Sequence, residues 1–424
     1  MHPPRVCARS LGATATLGLG IITATLFAIL TVTGILLMVY YLPSVDGAYE
    51  SVQDIELAVA HGSFLRALHR WAAHAMVVSV VLHVARIVAT AAYRKRELNW
   101  LIGIGLLLLT IGFAFTGYLL PWDQLSYWAV RVGTAMLDQV PGIGGAARRL
   151  FVGGDEIGQA GLLRFYVLHV AVLPALATLL VALHLWRIRK DGGLARPVAG
   201  AGAGAGAGAE CGQPQVNAWP HLMLREAAVS LGVLLLTMVA ALVFRAPLGA
   251  PPDFYNPTDP EKAPWYFLWA QEAISYSAII GAVVLPGFLF AVLLVLPAVE
   301  RETEGTGQWL GTRSSRRAAV VGLVVGSIGL VACEALYLSA YGSAADATPA
   351  GSWWWELVNP GTAMMVIAIA ASFATRLASG STRAATVAGL VVLTVALLGF
   401  TVLGLCRGPG WQLYWPWEDW PVVG

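Results

Sequence analysis

Long apolar runs joined by short polar segments set the pattern of this chain. Hydrophobic residues dominate 17–41, 66–92, 98–120, 163–187, 225–244, 277–299, 317–340, 361–378 and 385–405. A helix needs ~20 apolar residues to cross a bilayer, so the pattern predicts nine spans. In lipid every backbone N–H and C=O must be satisfied within its own segment, which favours helices. The expected fold is an all-α integral membrane protein, a four-helix bundle followed by about four or five further transmembrane helices. The first run is too long for a signal-peptide core and no cleavage site interrupts it, so it reads as a retained span.

Composition supports the same solvent. Of 424 residues, 58% are hydrophobic and 12% charged, against ~25% charged in a soluble domain. A net charge of +2 gives no reason to expect nucleic acid. Loop charges orient the bundle. Arg94, Lys95 and Arg96 follow the second span, Arg187, Arg189, Lys190 and Arg196 the fourth, and Arg313, Arg316 and Arg317 the sixth. The loop after the first span carries Asp46, Glu50, Asp54 and Glu56 instead. Positive charge stays inside, so the N-terminus is expected in the cytoplasm and, with nine spans, the C-terminus outside, in a bacterial-type cytoplasmic membrane.

An alternating Ala/Gly run, Ala199–Ala209, has no means of packing a core and reads as a linker. It divides the chain into a four-helix part (1–197), a linker (198–215), a following part (216–300) and a last part (301–424) with further spans and a Trp-rich tail. The tail suits the aromatic belt of a membrane interface; docking to a partner subunit is the other reading. The four cysteines, Cys7, Cys211, Cys333 and Cys406, form no CxxC or CxxCH pattern. None of them suggests a zinc site, an iron–sulfur cluster or covalent haem.

Four histidines lie inside apolar runs, His69 and His83 in the second span and His169 and His184 in the fourth. Imidazole in hydrocarbon is costly and is either a packed polar group or a functional one. At ~100° per residue, His83 returns to within ~40° of the His69 face and His184 to within ~60° of His169. Spans two and four run in the same direction, so the first histidines share one depth and the second another. Two imidazoles per level are too few for zinc. They suit haem iron, whose other positions the porphyrin fills, so two non-covalent b-type haems are expected. Arg66, Arg70, Arg86 and Arg187 stand near these histidines and can pair with haem propionates or snorkel to the interface.

Ordered blocks across residues 15–195 make the family resemblance specific: TGILLMVYYLPS, SVQDIE, LRALHRW, LHVARI, RELNWLIG, TGYLLPWDQLSYWAV, RFYVLHVAVLP and HLWRIRKDGG. They resemble cytochrome b of cytochrome bc-type quinol oxidoreductase complexes, with the His169-to-His184 step of the chloroplast-type protein. The resemblance implies that His69 and His169 ligate an outer haem and His83 and His184 an inner one. Gly20, Gly34, Gly103 and Gly117 would leave room for the macrocycles, close helix packing being the other reading. The family's third-haem cysteine aligns with Gly18, so no covalent third haem is expected and the inner pocket would take quinone.

The stretch NPTDPEKAPWYFLWAQE, Asn256–Glu272, resembles the quinol-site loop of the chloroplast-type subunit four. The family's Pro-Glu-Trp-Tyr is here Ala263-Pro264-Trp265-Tyr266, so its Glu is absent. Glu272 is a candidate proton acceptor, or else a surface residue at a helix end, and Tyr266 can bond quinone or the base. Pro121, Trp122 and Trp128, with Pro264 and Trp265, would line the outer site. The resemblance implies quinol oxidation outside, electron transfer through both haems to an inner quinone, and proton translocation. It also implies a dimeric multisubunit membrane complex with lipid, a Rieske-type iron–sulfur protein and a c-type cytochrome. Rival readings are a dihaem anchor of another quinone-linked redox complex and, in a different class, a non-redox transporter or scaffold. Glu334, inside a later span, is weak ground for a proton path.

Overall fold

The computed structural model describes residues 5–7, 18–191, 215–302, 304–341 and 358–414. The Ala/Gly linker and most of the Trp-rich tail lie outside these residues. One antiparallel pair, β1 (Arg5–Cys7) with β2 (Gln215–Asn217), joins the two sides of the linker; the other regular elements among the described residues are helical. Among the described residues nine helices are long and apolar enough to span a membrane, each overlapping one predicted run. The protein is a multi-pass membrane protein.

The described chain divides into two compact units that do not follow chain order. The first comprises 1–123, 158–251 and 303–311; the second comprises 124–157, 252–302 and 312–424.

In the first unit lie α1 (Leu19–Met38), the short α2 (Ala48–Leu57), α3 (Gly62–Ala89) and α4 (Glu97–Leu119). α7 (Gln159–Lys190) and α8 (Ala218–Val243) complete it. α1 packs on α3, α4 on α7, and α8 on both α1 and α3. Leu26, Ile29, Ala67, Leu68, Ala72 and Ala241 form a tight seam there. Small residues at such a seam let backbones approach, which supplies the dispersion contacts that hold helices together in lipid. Outward-facing Leu235, Leu236 and Val239 are exposed, as a surface bathed in acyl chains requires.

The second unit contains the amphipathic α5 (Gln124–Ala135) and α6 (Gly144–Val152), the short α9 (Leu268–Tyr276), and α10 (Ile280–Val299). It ends with α11 (Arg313–Tyr341), α12 (Pro360–Ser379) and α13 (Thr382–Leu405). α13 is the most enclosed span, half of its apolar window being buried. It packs on α9, α11 and α12 around Tyr276, Tyr337, Met364, Val392 and Phe400. Local chemistry sets its start. Ser381 caps α13 by accepting from Ala384 N, and Glu302 accepts from the Ser381 hydroxyl at 2.6 Å and from Thr382 N. α12 begins with Asn359 as N-cap followed by Pro360, where the missing proline N–H costs nothing.

Two spans depart from regular α-geometry. Leu168–Val172 in α7 and Ile280–Val284 in α10 are π turns, and each is followed two residues later by proline, Pro174 and Pro286. Proline cannot donate, and its ring crowds the carbonyl four residues back; a wider turn relieves that clash.

Candidate functional site

α3 presents His69 and His83, and α7 presents His169 and His184. The His69 and His169 rings lie 6.3 Å apart, centre to centre. With metal–imidazole bonds of about 2 Å, that spacing admits one ion held by both rings.

Hydrogen bonding fixes which nitrogen each outer ring can offer. The Thr33 hydroxyl donates to the Ile29 carbonyl at 2.7 Å and meets His69 Nδ1 at 2.8 Å. Its single proton is thereby engaged, so the imidazole donates from Nδ1 and keeps the Nε2 lone pair bare. Thr116 repeats the arrangement on α4, donating to the Gly112 carbonyl at 2.7 Å and facing His169 Nδ1 at 3.1 Å. A second partner that sets the tautomer and orients the ring is what a metal-binding histidine requires. Sequence reading missed both threonines. Their signal was present, since each immediately precedes one of the singled-out glycines, as Thr33-Gly34 and Thr116-Gly117.

Each of the four histidines faces one glycine. A Cβ on Gly20 would sit 3.7 Å from His83 Cε1, one on Gly34 3.3 Å from His69 Cε1, and one on Gly103 3.8 Å from His184 Cε1. On Gly117 it would collide with the His169 ring. The glycines therefore keep α1 and α4 without side chains at the two levels where the histidines stand. Two paired levels with bare helix walls fit a flat macrocycle bearing an iron ion at each level. Among the described residues no group of three or more His, Cys, Asp and Glu could hold a metal.

The π turn settles a mismatch in spacing. Straight α-geometry leaves His184 ~60° away from the His169 face, further than the ~40° between His69 and His83. His169 lies inside the π turn Leu168–Val172, which takes in one extra residue without advancing the helix. The fifteen residues from 169 to 184 then sweep nearly the same angle as the fourteen from 69 to 83.

The arginines differ among themselves. Arg66 is buried and bound to Glu56 at 2.8 Å and to the Ala246 and Pro247 carbonyls at 2.8 and 2.5 Å. It ties α2 and α3 to the chain leaving α8, which leaves its guanidinium little capacity for a propionate. Arg187 pairs with Asp191 at 2.6 Å, and Arg86 is buried. Arg70 is half-buried on the turn after His69.

Of the residues expected to line a quinol site, Pro121 and the buried Trp122 belong to the first unit, and the others to the second. In the second unit, α5 holds the following loop by its backbone. Gln124 donates to the Asn256 carbonyl at 2.7 Å and accepts from Asp253 N at 2.6 Å; Trp128 Nε1 donates to the Asp253 carbonyl at 2.9 Å. Further on, Gln271 clamps the loop onto α9, accepting from Ala263 N at 2.6 Å and donating to the Glu261 carbonyl at 2.5 Å. Tyr266 stands edge-on between Trp265 and Phe267, and Trp265 is exposed.

Glu272 is not a surface residue. It is fully buried and bound to Arg407, Oε1 lying 2.5 Å from Nη2. This geometry makes it the charge partner of Arg407. The loop supplies a different carboxyl, Glu261, which accepts from Thr258 N at 3.1 Å and whose ionisation burial pushes up to about 7. Sequence reading passed over it because it lies two residues before Ala263, outside the aligned tetrapeptide.

A family model described as cytochrome b/b6/petB matches residues 9–192. Cytochrome b6 of Chlamydomonas reinhardtii is 44% identical over 175 residues, which is 41% of this chain and 81% of that protein. Cytochrome b6 of Synechococcus elongatus has the same identity and coverage. A solved chain of a hyperthermophilic respiratory Complex III superposes with a TM-score of 0.64 at 22% identity, covering 92% of this chain and 90% of that one; this likeness is one of fold.

Proposed function

The chain belongs to the cytochrome b/b6 family, and on that premise we propose that it is the dihaem subunit of a bc-type quinol oxidoreductase complex. The observation that carries the reading is the set of four histidines, each facing a glycine on α1 or α4. In it, His69 with His169, and His83 with His184, hold two b-type haems, Arg70, Arg86 and Arg187 being the propionate partners. Bound there, the haems supply one-electron transfer across the membrane.

The residues of the chain do the rest. Thr33 and Thr116 keep the outer imidazoles in the tautomer that leaves Nε2 free. Tyr266, Pro264 and Trp265, on a loop that Gln124 and Gln271 hold from both ends, make the outer quinol contacts together with Trp128 of α5. Glu261 takes the quinol's proton in place of the Glu missing from the tetrapeptide, because a base works best with an ionisation near the working pH. Glu272, paired with Arg407, supports α9 from behind. Quinone is reduced beside the inner pair, and an iron–sulfur protein of Rieske type and a c-type cytochrome take the remaining electrons. The basic segments after α3 and α7 favour a cytoplasmic N-terminus.

Two measurements test this. A pyridine haemochrome spectrum of the purified chain is expected to give two b haems per polypeptide; fewer than two defeats the dihaem reading and leaves the transporter or scaffold class. Quinol-driven reduction should rise with pH through about 7 as Glu261 loses its proton. In Glu261→Gln that rise should disappear, and an unchanged pH profile rules Glu261 out.

A further inference from the structure

The second unit buries four ionisable groups in one network, drawn from two helices and the chain beyond α13. Glu272 and Tyr276 come from α9, Glu334 from α11, and Arg407 follows α13; all four are nearly inaccessible. Arg407 Nε lies 3.1 Å from both Glu272 oxygens and Nη2 lies 2.5 Å from Oε1, while Nη1 donates to the Trp411 carbonyl at 3.2 Å. The Tyr276 hydroxyl is 2.6 Å from Glu272 Oε1 and 2.9 Å from Glu334 Oε1. Its ring is fixed edge-on against Tyr337 at 4.9 Å and tilted against Phe400 at 5.7 Å.

Donors do not suffice for this geometry if both carboxyls are ionised. A tyrosine hydroxyl has one proton to give and here meets two carboxyl oxygens. One contact is made by the tyrosine proton, and the other forms only if the carboxyl brings its own. Charge gives the same result. Two carboxylates against one guanidinium would leave an uncompensated negative charge among Met364, Leu393 and Phe400, and an isolated buried charge is relieved by neutralisation. Arg407 aims its donors at Glu272, so Glu272 is the anion. Glu334 is then the acid. The charged groups touching it are Glu272, through Tyr276, and Arg407; α12 contributes Met364, Met365 and Ala368 to this core, none of them ionisable. Cys333 is its neighbour on α11.

We propose that this network is a single-proton binding site, in which Glu334 is a neutral carboxylic acid donating to Tyr276, whose hydroxyl donates to Glu272. Uptake and release change only O–H bonds. When Glu334 releases its proton, the network gains one negative charge and the Tyr276 hydroxyl is left with two anionic acceptors; uptake restores neutrality. The site does not depend on the haem or quinol readings, since neither uses Glu334 or Tyr276.

Infrared difference spectroscopy of the purified full-length protein tests it, reading the carbonyl stretch of a protonated carboxylic acid and its shift in heavy water. In a Glu261→Gln background, which removes the other carboxyl that titrates near neutrality, one such band is expected near neutrality and should be lost on adding Glu334→Gln, whose amide can still donate to the tyrosine oxygen. In Tyr276→Phe the band should persist but move to higher frequency, because the acid has lost its acceptor. This second variant leaves Glu334 itself intact and gives an independent reading if Glu334→Gln does not fold. Absence of the band from the Glu261→Gln background, its survival in Glu334→Gln, or an unmoved band in Tyr276→Phe each overturns the proposal.

Discussion

The two units handle polar groups in membrane-buried places by opposite means. In the first, the four helix-borne histidines stand opposite glycines, and His69 and His169 each meet a threonine hydroxyl at Nδ1. In the second, Glu272, Tyr276, Glu334 and Arg407 satisfy one another and need nothing from outside except a proton. The first arrangement orients rings through neighbouring hydroxyls, and the second joins ionisable groups to one another.

Substitutions can break this contrast. The largest effect is expected at Gly117, where any Cβ collides with the His169 ring. Gly117→Val should remove the outer haem and halve haem content per polypeptide in the haemochrome assay. Gly103→Ala, which adds only an ordinary contact with His184 at 3.8 Å, should leave both haems in place. If the two variants behave alike, the glycines matter for helix packing and not for a cofactor.

On the other side of the contrast, Arg407→Leu strands the buried Glu272 charge. Removing one partner of a buried pair costs about 3–5 kcal/mol, which thermal unfolding in detergent should register. Replacing both Glu272 and Arg407 with leucine should recover much of that loss. Failure to recover would mean that Arg407 acts through Trp411 and its own packing.

A smaller effect is expected at Thr33→Val, which keeps the side-chain shape and removes the acceptor of His69 Nδ1. Loss of such a supporting bond weakens metal binding roughly 10–100-fold. Haem titration into stripped protein should show this at the outer level with no change at the inner one.

Much of the first unit was legible in the sequence because the periods of its helices carry the information. Fourteen residues between His69 and His83 and a shared direction for two spans suffice to pair the histidines by level. The π turn was not legible. It arises where Pro174 meets the carbonyls behind it, and nothing in the residue spacing says which turn will widen. The candidate loop was located by its tetrapeptide, but its chemistry was not, since Glu272 reads as a candidate proton acceptor until the chain beyond α13 brings Arg407 against it.

The sequence by itself determined that the chain is built of membrane helices, because the bilayer requires long apolar runs with internally bonded backbones. It also determined which helices carry the four histidines and at which level, because depth along a helix follows from residue number. Tertiary structure decided what each ionisable group does. Arg407 lies 135 residues beyond Glu272 and Glu334 lies 58 beyond Tyr276, and no local pattern joins them. The charge a carboxyl carries in a core depends on which partners reach it, and only packing brings those partners together.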